Sequence, residues 1–234
     1  LLRFFKIEIL LPFFAQVDLK MVNGKPSNFN ITDIVSVFKE ALESGEMEQF
    51  EFYRKHGFSI ISHLLIFSSP EQITFNLYKS FYDIYEILLS EEIKRDMFKN
   101  ILLNFDIWIV AEHQDHMRIL IHWRALIPKY DEFFTDFFPF SRLLEFMRIY
   151  YWYSPIEKEK IRGFTSSTQN CEFSERSYMS SFSNRQRNPN LKISDCRSMM
   201  FNILSEISQL RFRNDDFSTL MDHCLTIRDE RQRI

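Results

Sequence analysis

SPEQITFNLYKSFYDIYEILLSEEIKRDMFKNILLNFDIW, from Ser69 to Trp108, is the stretch that decides the fold. Ser69-Pro70-Glu71-Gln72 reads as a helix start. A serine oxygen can accept from the free amides of a first turn, proline is tolerated there because its missing N–H would have no partner anyway, and an acidic side chain suits the positive helix end. Behind it Ile73, Leu77, Phe81, Ile84, Tyr85 and Leu88 recur at three- and four-residue steps, which places them on one helical face. Ser90-Glu91-Glu92-Ile93 repeats the start signal, and Ile93, Met97, Ile101, Leu102, Phe105 and Trp108 form the next stripe. So short a junction predicts antiparallel neighbours. Ile107-Trp108-Ile109-Val110 is β-prone locally but sits in phase with the helix before it.

Toward the amino terminus the same periodicity continues. After a turn signal at Asn23-Gly24-Lys25-Pro26, Ile31, Ile34, Val35, Phe38 and Leu42 predict a helix capped near Asn30 or Thr32 and ended by Gly45. A second helix is predicted from Glu46, with Tyr53, Ile60, Ile61, Leu64 and Leu65 on one stripe. Gly57 inside it costs up to about 1 kcal/mol relative to alanine and marks a kink or a break. The opening Leu1 to Pro12 is apolar but interrupted by Arg3, Lys6 and Glu8, and is too short to span a membrane. With no initiator methionine, it is expected to be a helix cut from a longer protein, packing on elements beyond this sequence.

Toward the carboxyl terminus His116, Leu120, Trp123 and Ile127 predict a helix from about Gln114 to Pro128, where the proline ring limits it. Phe133, Phe134, Phe137, Phe138 and Phe140 then crowd a connector, and Phe140, Leu143, Leu144, Met147 and Tyr151 resume the stripe. After Tyr153-Ser154-Pro155 the composition changes: seven serines and two threonines lie between Thr165 and Ser183. So few apolar residues cannot offset the entropy of ordering, and about 165 to 190 reads as a disordered serine-rich loop. Helical spacing returns with Cys196, Met200, Ile203, Leu204, Ile207 and Leu210. It returns again with Phe217, Leu220, Met221, Cys224 and Leu225 after a capping cluster at Asn214-Asp215-Asp216.

These stripes predict an all-α chain of about eight helices, read as one α-solenoid fragment over 1–234. A right-handed stack of helix pairs of the armadillo or HEAT kind and a closed bundle both accommodate the pattern, and the stack is preferred. The 26 phenylalanines against four glycines describe packed helices. A chain of 234 residues buries about two thirds to three quarters of its extended surface, enough for a core without staples.

Few chemistries survive the residue census. No GxGxxG or GxxxxGK run brings backbone amides to a phosphate, so nucleotide chemistry is not expected. His113 and His116, with Asp115 near, lack the three or four convergent donors a metal needs and read as a polar helix start with a semi-buried histidine. Cys171, Cys196 and Cys224 are odd in number and widely spaced. They read as free thiols of a reducing, cytoplasmic compartment, with Cys196 and Cys224 in the core and Cys171 exposed. Asp106 with Glu112, or Asp131 with Glu132, read as solvated surface. The expectation is therefore no enzyme, no cofactor and no metal. A net charge of −3 disfavours nucleic acid and leaves proteins as the expected partners.

One segment is a candidate for interaction or regulation. Ser166, Ser167, Ser174, Ser177, Ser180, Ser181 and Ser183 can accept phosphoryl groups beside the basic cluster Arg185, Arg187, Lys192 and Arg197. The preferred reading of that cluster is a solvated loop edge; the alternative is that it meets an acidic partner, an anionic membrane or RNA.

Three stretches carry a family resemblance. They are Gly57-Phe58-Ser59-Ile60-Ile61-Ser62-His63-Leu64-Leu65, the run Leu102-Leu103-Asn104-Phe105-Asp106-Ile107-Trp108, and Phe140-Ser141-Arg142-Leu143-Leu144-Glu145-Phe146-Met147-Arg148-Ile149-Tyr150-Tyr151-Trp152. Together, across roughly residues 50 to 230, they resemble the helical, armadillo-like region upstream of the BEACH module in neurobeachin and beige-like proteins. The resemblance implies a fragment of a very large cytoplasmic protein in which a solenoid precedes lectin-like, PH-like, BEACH and WD-repeat modules. It implies vesicle-traffic, lysosomal or autophagy roles, association with endomembranes through the full-length protein, and WD repeat as a descriptor; it supplies no catalytic residue. The function expected is a protein-interaction scaffold. An adaptor or small-GTPase regulatory module is the alternative, and a helical enzyme is a distant third.

Overall fold

The computed structural model describes residues 30–152, 187–212 and 214–226, together with Pro12. The readings made for Leu1 to Leu11, Asn23 to Pro26, Cys171 and the loop up to position 186 lie outside the described residues. Two compact units divide the chain, Leu1–Ile119 and Leu120–Ile234.

In the first unit α1 (Ile31–Leu42), α2 (Glu46–Arg54), α3 (Gly57–Phe67), α4 (Phe75–Ile87), α5 (Glu91–Met97) and α6 (Phe105–Trp108) stack on neighbours near them in sequence. α1 lies against α4 and α2, and α3 lies against α2 and α6. α7 (His113–Leu126) begins in this unit and ends in the next. The second unit continues with α8 (Asp131–Phe137), α9 (Phe140–Phe146), α10 (Ile193–Leu210) and α11 (Asn214–Thr226), and α9 packs on both α10 and α11. Helix-pair stacking of the armadillo or HEAT kind is therefore the architecture of the described residues, and no strand occurs among them. WD repeat is thereby corrected as a descriptor of this chain, since a WD blade is a four-stranded sheet.

Gly57 is a break. His56 takes a left-handed conformation with φ 56°, and α3 starts afresh at Gly57. A Cβ at Gly57 would overlap the Phe52 ring, so only glycine lets α3 close onto α2. Phe52 in turn meets Phe38 and Phe58 edge-on at 4.8 and 5.0 Å, joining α1, α2 and α3. Because the helix restarts, the stripe predicted from Glu46 is not carried through. Phe58, Ile61 and Leu65 are buried, whereas Ile60 is exposed.

The start signal at Ser69 also resolves differently. Pro70–Gln72 is a single 3₁₀ turn, and the helix begins at Phe75, where the Thr74 hydroxyl accepts from the Leu77 amide at 3.2 Å. The stripe itself stands, with Ile73, Leu77, Phe81, Ile84, Tyr85 and Leu88 all buried.

Two wide turns interrupt the stripes that follow. α5 passes into a π-helical segment, Phe98–Leu102, closed by the Leu103 amide on the Phe98 carbonyl at 2.8 Å. The extra residue rotates the side chains, so Ile101, Leu102 and Leu103 are buried together. Asn104 then ends the run and starts α6: its Oδ1 accepts from the Asp106 amide, and its Nδ2 donates to Ser62 Oγ at 2.8 Å and to the Asn100 carbonyl. α9 likewise passes into Met147–Trp152, also π-helical.

The phenylalanine-rich connector is itself a helix, α8. Phe133, Phe134, Phe138 and Phe140 are buried around it, and Phe138 meets Trp123 edge-on at 5.5 Å. Asn214, Asp215 and Asp216 form the first turn of α11 and do not precede it.

Candidate interaction surfaces

Among the described residues no three His, Cys, Asp or Glu side chains gather to hold a metal. His116 is fully buried, not semi-buried as expected, and its Nδ1 lies 2.9 Å from the Trp108 carbonyl. A carbonyl can only accept, so the neutral ring carries its proton on Nδ1. Burial holds the imidazole down at about 4, against the upward pull of that hydrogen bond. Trp108 is fixed in turn through Nε1, which donates to the Ile101 carbonyl at 2.8 Å. The arrangement closes the turn between α6 and α7, while His113 is half-buried and Asp115 pairs with Arg118 at 3.9 Å.

The cysteines separate. Cys196 is buried in α10, and burial, then the Asp195 charge, pushes its thiol up to about 12. A thiol so held is not a nucleophile near neutrality. Cys224, expected in the core, is exposed, because α11 turns its apolar stripe away from the helix it rests on.

The basic cluster is anchored in part. Arg187 Nη1 donates to the Tyr150 carbonyl at 2.5 Å and Arg197 Nε to the Tyr151 carbonyl at 2.9 Å. Both guanidinium groups therefore close the carboxyl end of the second π-helical segment, where carbonyls lack partners within the helix and positive charge is favourable. Asn188 and Leu191 are buried beside them, while Lys192 is exposed at the start of α10. The solvated-edge reading thus fits Lys192 and fails for Arg187 and Arg197. Ser166, Ser167, Ser174, Ser177, Ser180, Ser181, Ser183 and Arg185 lie outside the described residues.

The outward faces carry apolar residues that periodicity either did not single out, Met47, Phe50, Phe67 and Phe212, or placed on core stripes, Leu210, Phe217 and Met221. Met47 and Phe50 on α2 and Phe67 on α3 are exposed, Met47 and Phe67 by about seven tenths (70% and 71%). In the second unit Leu210, Phe212, Phe217 and Met221 are exposed as well, with Phe212 edge-on to Phe140 at 5.2 Å. A signal was present for some: Met47 and Phe50 alternate with Glu46, Glu48 and Glu51, and Phe212 lies between Arg211 and Arg213.

Residues 7–234 match the model of a family described as Neurobeachin/BDCP, DUF4704 alpha solenoid region. Two curated relatives, putative neurobeachin homologs of Caenorhabditis elegans and Caenorhabditis briggsae, are each 30% identical over 118 residues, covering 47% of this chain and 5% of the relative. The chain thus spans a small part of the relatives it matches. No solved structure matches it.

Proposed function

We propose that this chain, which belongs to the Neurobeachin/BDCP DUF4704 alpha solenoid region family, is a non-catalytic protein-interaction scaffold. The observation that carries this reading is the set of large apolar side chains turned outward, Met47, Phe50 and Phe67 on α2 and α3 in one unit and Phe217 and Met221 on α11 in the other, with Phe212 in the link before α11. Helix stacks present faces of this kind to protein partners, and exposed apolar groups of this size favour such contacts.

Residues 1–234 serve in this reading as one solenoid fragment of a larger cytoplasmic protein acting in vesicle traffic, lysosomal or autophagy processes. Its partners are other proteins and further modules of the same polypeptide, with peripheral endomembrane association arising through the whole protein. No helix of the described residues is long and apolar enough to cross a membrane. The serine-rich stretch of about 165 to 190 is the regulatory segment: phosphorylation at Ser166, Ser167, Ser174, Ser177, Ser180, Ser181 or Ser183 sets negative charge near Arg185, Arg187 and Lys192.

The test is affinity capture from cytosolic and membrane fractions, with the intact chain and a variant lacking 165–190. Specific partners retained by the intact chain support the scaffold, and their loss on deletion assigns them to the serine-rich segment. No specific capture by either chain sinks it.

A further inference from the structure

The link between α3 and α4 carries a serine that the fold does not use as a cap. Ser69 precedes Pro70, and the proline ring disfavours helical geometry in the residue before it. Ser68 (φ −71°, ψ 154°) and Ser69 (φ −59°, ψ 136°) are accordingly extended, close to polyproline II. Ser69 is half-buried, and Phe67, Pro70 and Glu71 around it are exposed. Other described serines stand in different surroundings. Ser36, Ser80 and Ser218 lie inside helices, each donating to the carbonyl four residues back. Ser68 is buried and donates to the Leu64 carbonyl at 3.0 Å.

Extended backbone at the acceptor is what a protein kinase needs, since its cleft takes the substrate as an open strand, and a segment already extended costs little to order there. A helical serine must first unwind. The proline selects the class of enzyme, because a residue without an N–H suits a kinase whose neighbouring pocket is apolar and offers no acceptor. We propose that Ser69 is a phosphorylation site, modified by a proline-directed serine kinase with ATP as donor. Ser69 Oγ attacks the γ-phosphorus, the bond from that phosphorus to the bridging oxygen breaks, ADP leaves, and the hydroxyl proton passes to the kinase's catalytic aspartate. The product adds about −1.5 to −2 charge at pH 7 beside Glu71 and the outward Phe67 ring. It thereby sets an anion on an apolar face of the first unit. This goes beyond the scaffold reading and involves no residue of the serine-rich stretch.

The test incubates the 234-residue chain, and separately a synthetic peptide running from Leu64 to Asn76, with a proline-directed kinase and magnesium ATP, and maps phosphate by mass spectrometry. Folded chain and peptide are expected to gain phosphate on Ser69 at rates within about tenfold of each other, because the link is already extended in the fold. Modification by way of global unfolding would slow the chain by ~10³ or more. Pro70→Ala in the peptide slows its modification about tenfold or more. Four results overturn the proposal: no phosphate on Ser69 in either substrate, a chain slower than the peptide by more than about tenfold, a peptide indifferent to Pro70→Ala, or phosphate kept between Leu64 and Asn76 by the Ser69→Ala chain. Capture of partners is read on the unphosphorylated chain, so failure here is separable from failure of the scaffold reading.

Discussion

Gln49 Oε1 accepts the Leu89 backbone N–H at 3.0 Å, while its Nε2 donates to the Leu42 carbonyl at 3.1 Å and the Ile87 carbonyl at 3.3 Å. One buried side-chain amide from α2 thereby satisfies main-chain groups at the ends of α1 and α4, which carry their own last-turn carbonyls without intrahelical partners. Gln49→Leu keeps the volume and strands those groups. It should cost about 1–3 kcal/mol in urea unfolding, well above the typical effect of a surface change.

Gly57 and Phe52 should behave as a pair. Gly57→Ala forces a Cβ into the Phe52 ring, and a loss of about 1–3 kcal/mol is expected. Phe52→Leu is itself destabilising because it removes the edge-on contacts to Phe38 and Phe58. The double variant should lose less than the sum of the two, and additivity in a double-mutant cycle would refute the steric account.

His116 makes stability depend on pH. Its folded value of about 4 lies below the ordinary 6.5 of an unfolded histidine. The unfolded chain therefore binds the proton first as pH falls. The contribution of the neutral ring is complete above pH 6.5, declines between 6.5 and 4, and is gone below 4, a change of about 3 kcal/mol. Unfolding free energies measured from pH 7 to 4 should fall more steeply for the natural chain than for His116→Asn.

Alkylation should sort the cysteines. At pH 8 iodoacetamide is expected to modify Cys224 in the folded chain and to spare Cys196, whose buried thiol stays protonated. Peptide mapping that finds Cys196 modified at the Cys224 rate contradicts the packing of α10.

Arg187 and Arg197 are expected to hold the Met147–Trp152 segment through its carbonyls. Arg197→Ala should remove about 1–2 kcal/mol and speed amide hydrogen exchange in that segment. Arg197→Lys, without the planar fork, should restore only part.

Helix existence was legible wherever apolar residues recur at three- and four-residue steps. The stripe from Ile73 to Leu88 and that from His116 to Ile127 are buried throughout, because periodicity registers a face and a face is what packing uses. Boundaries were less so. Ser69-Pro70 has the chemistry of a cap, yet Thr74 makes the bond, since which hydroxyl reaches a free amide depends on the preceding turn. The candidate surfaces were hardest: Phe217 and Met221 have the same spacing as Met200, Ile203 and Ile207, but the former are exposed and the latter buried.

The sequence by itself determined an all-α chain, the family it belongs to and the lack of phosphate-cradling glycine loops, since spacing and residue type are local properties. Only the tertiary structure decided that Gly57 separates two helices and that Arg187 and Arg197 close a π-helical end. It alone turned the α11 stripe outward as well. Those outcomes depend on which neighbour occupies each face, and neighbours such as Gln49 and Leu89 are brought together by folding across 40 residues.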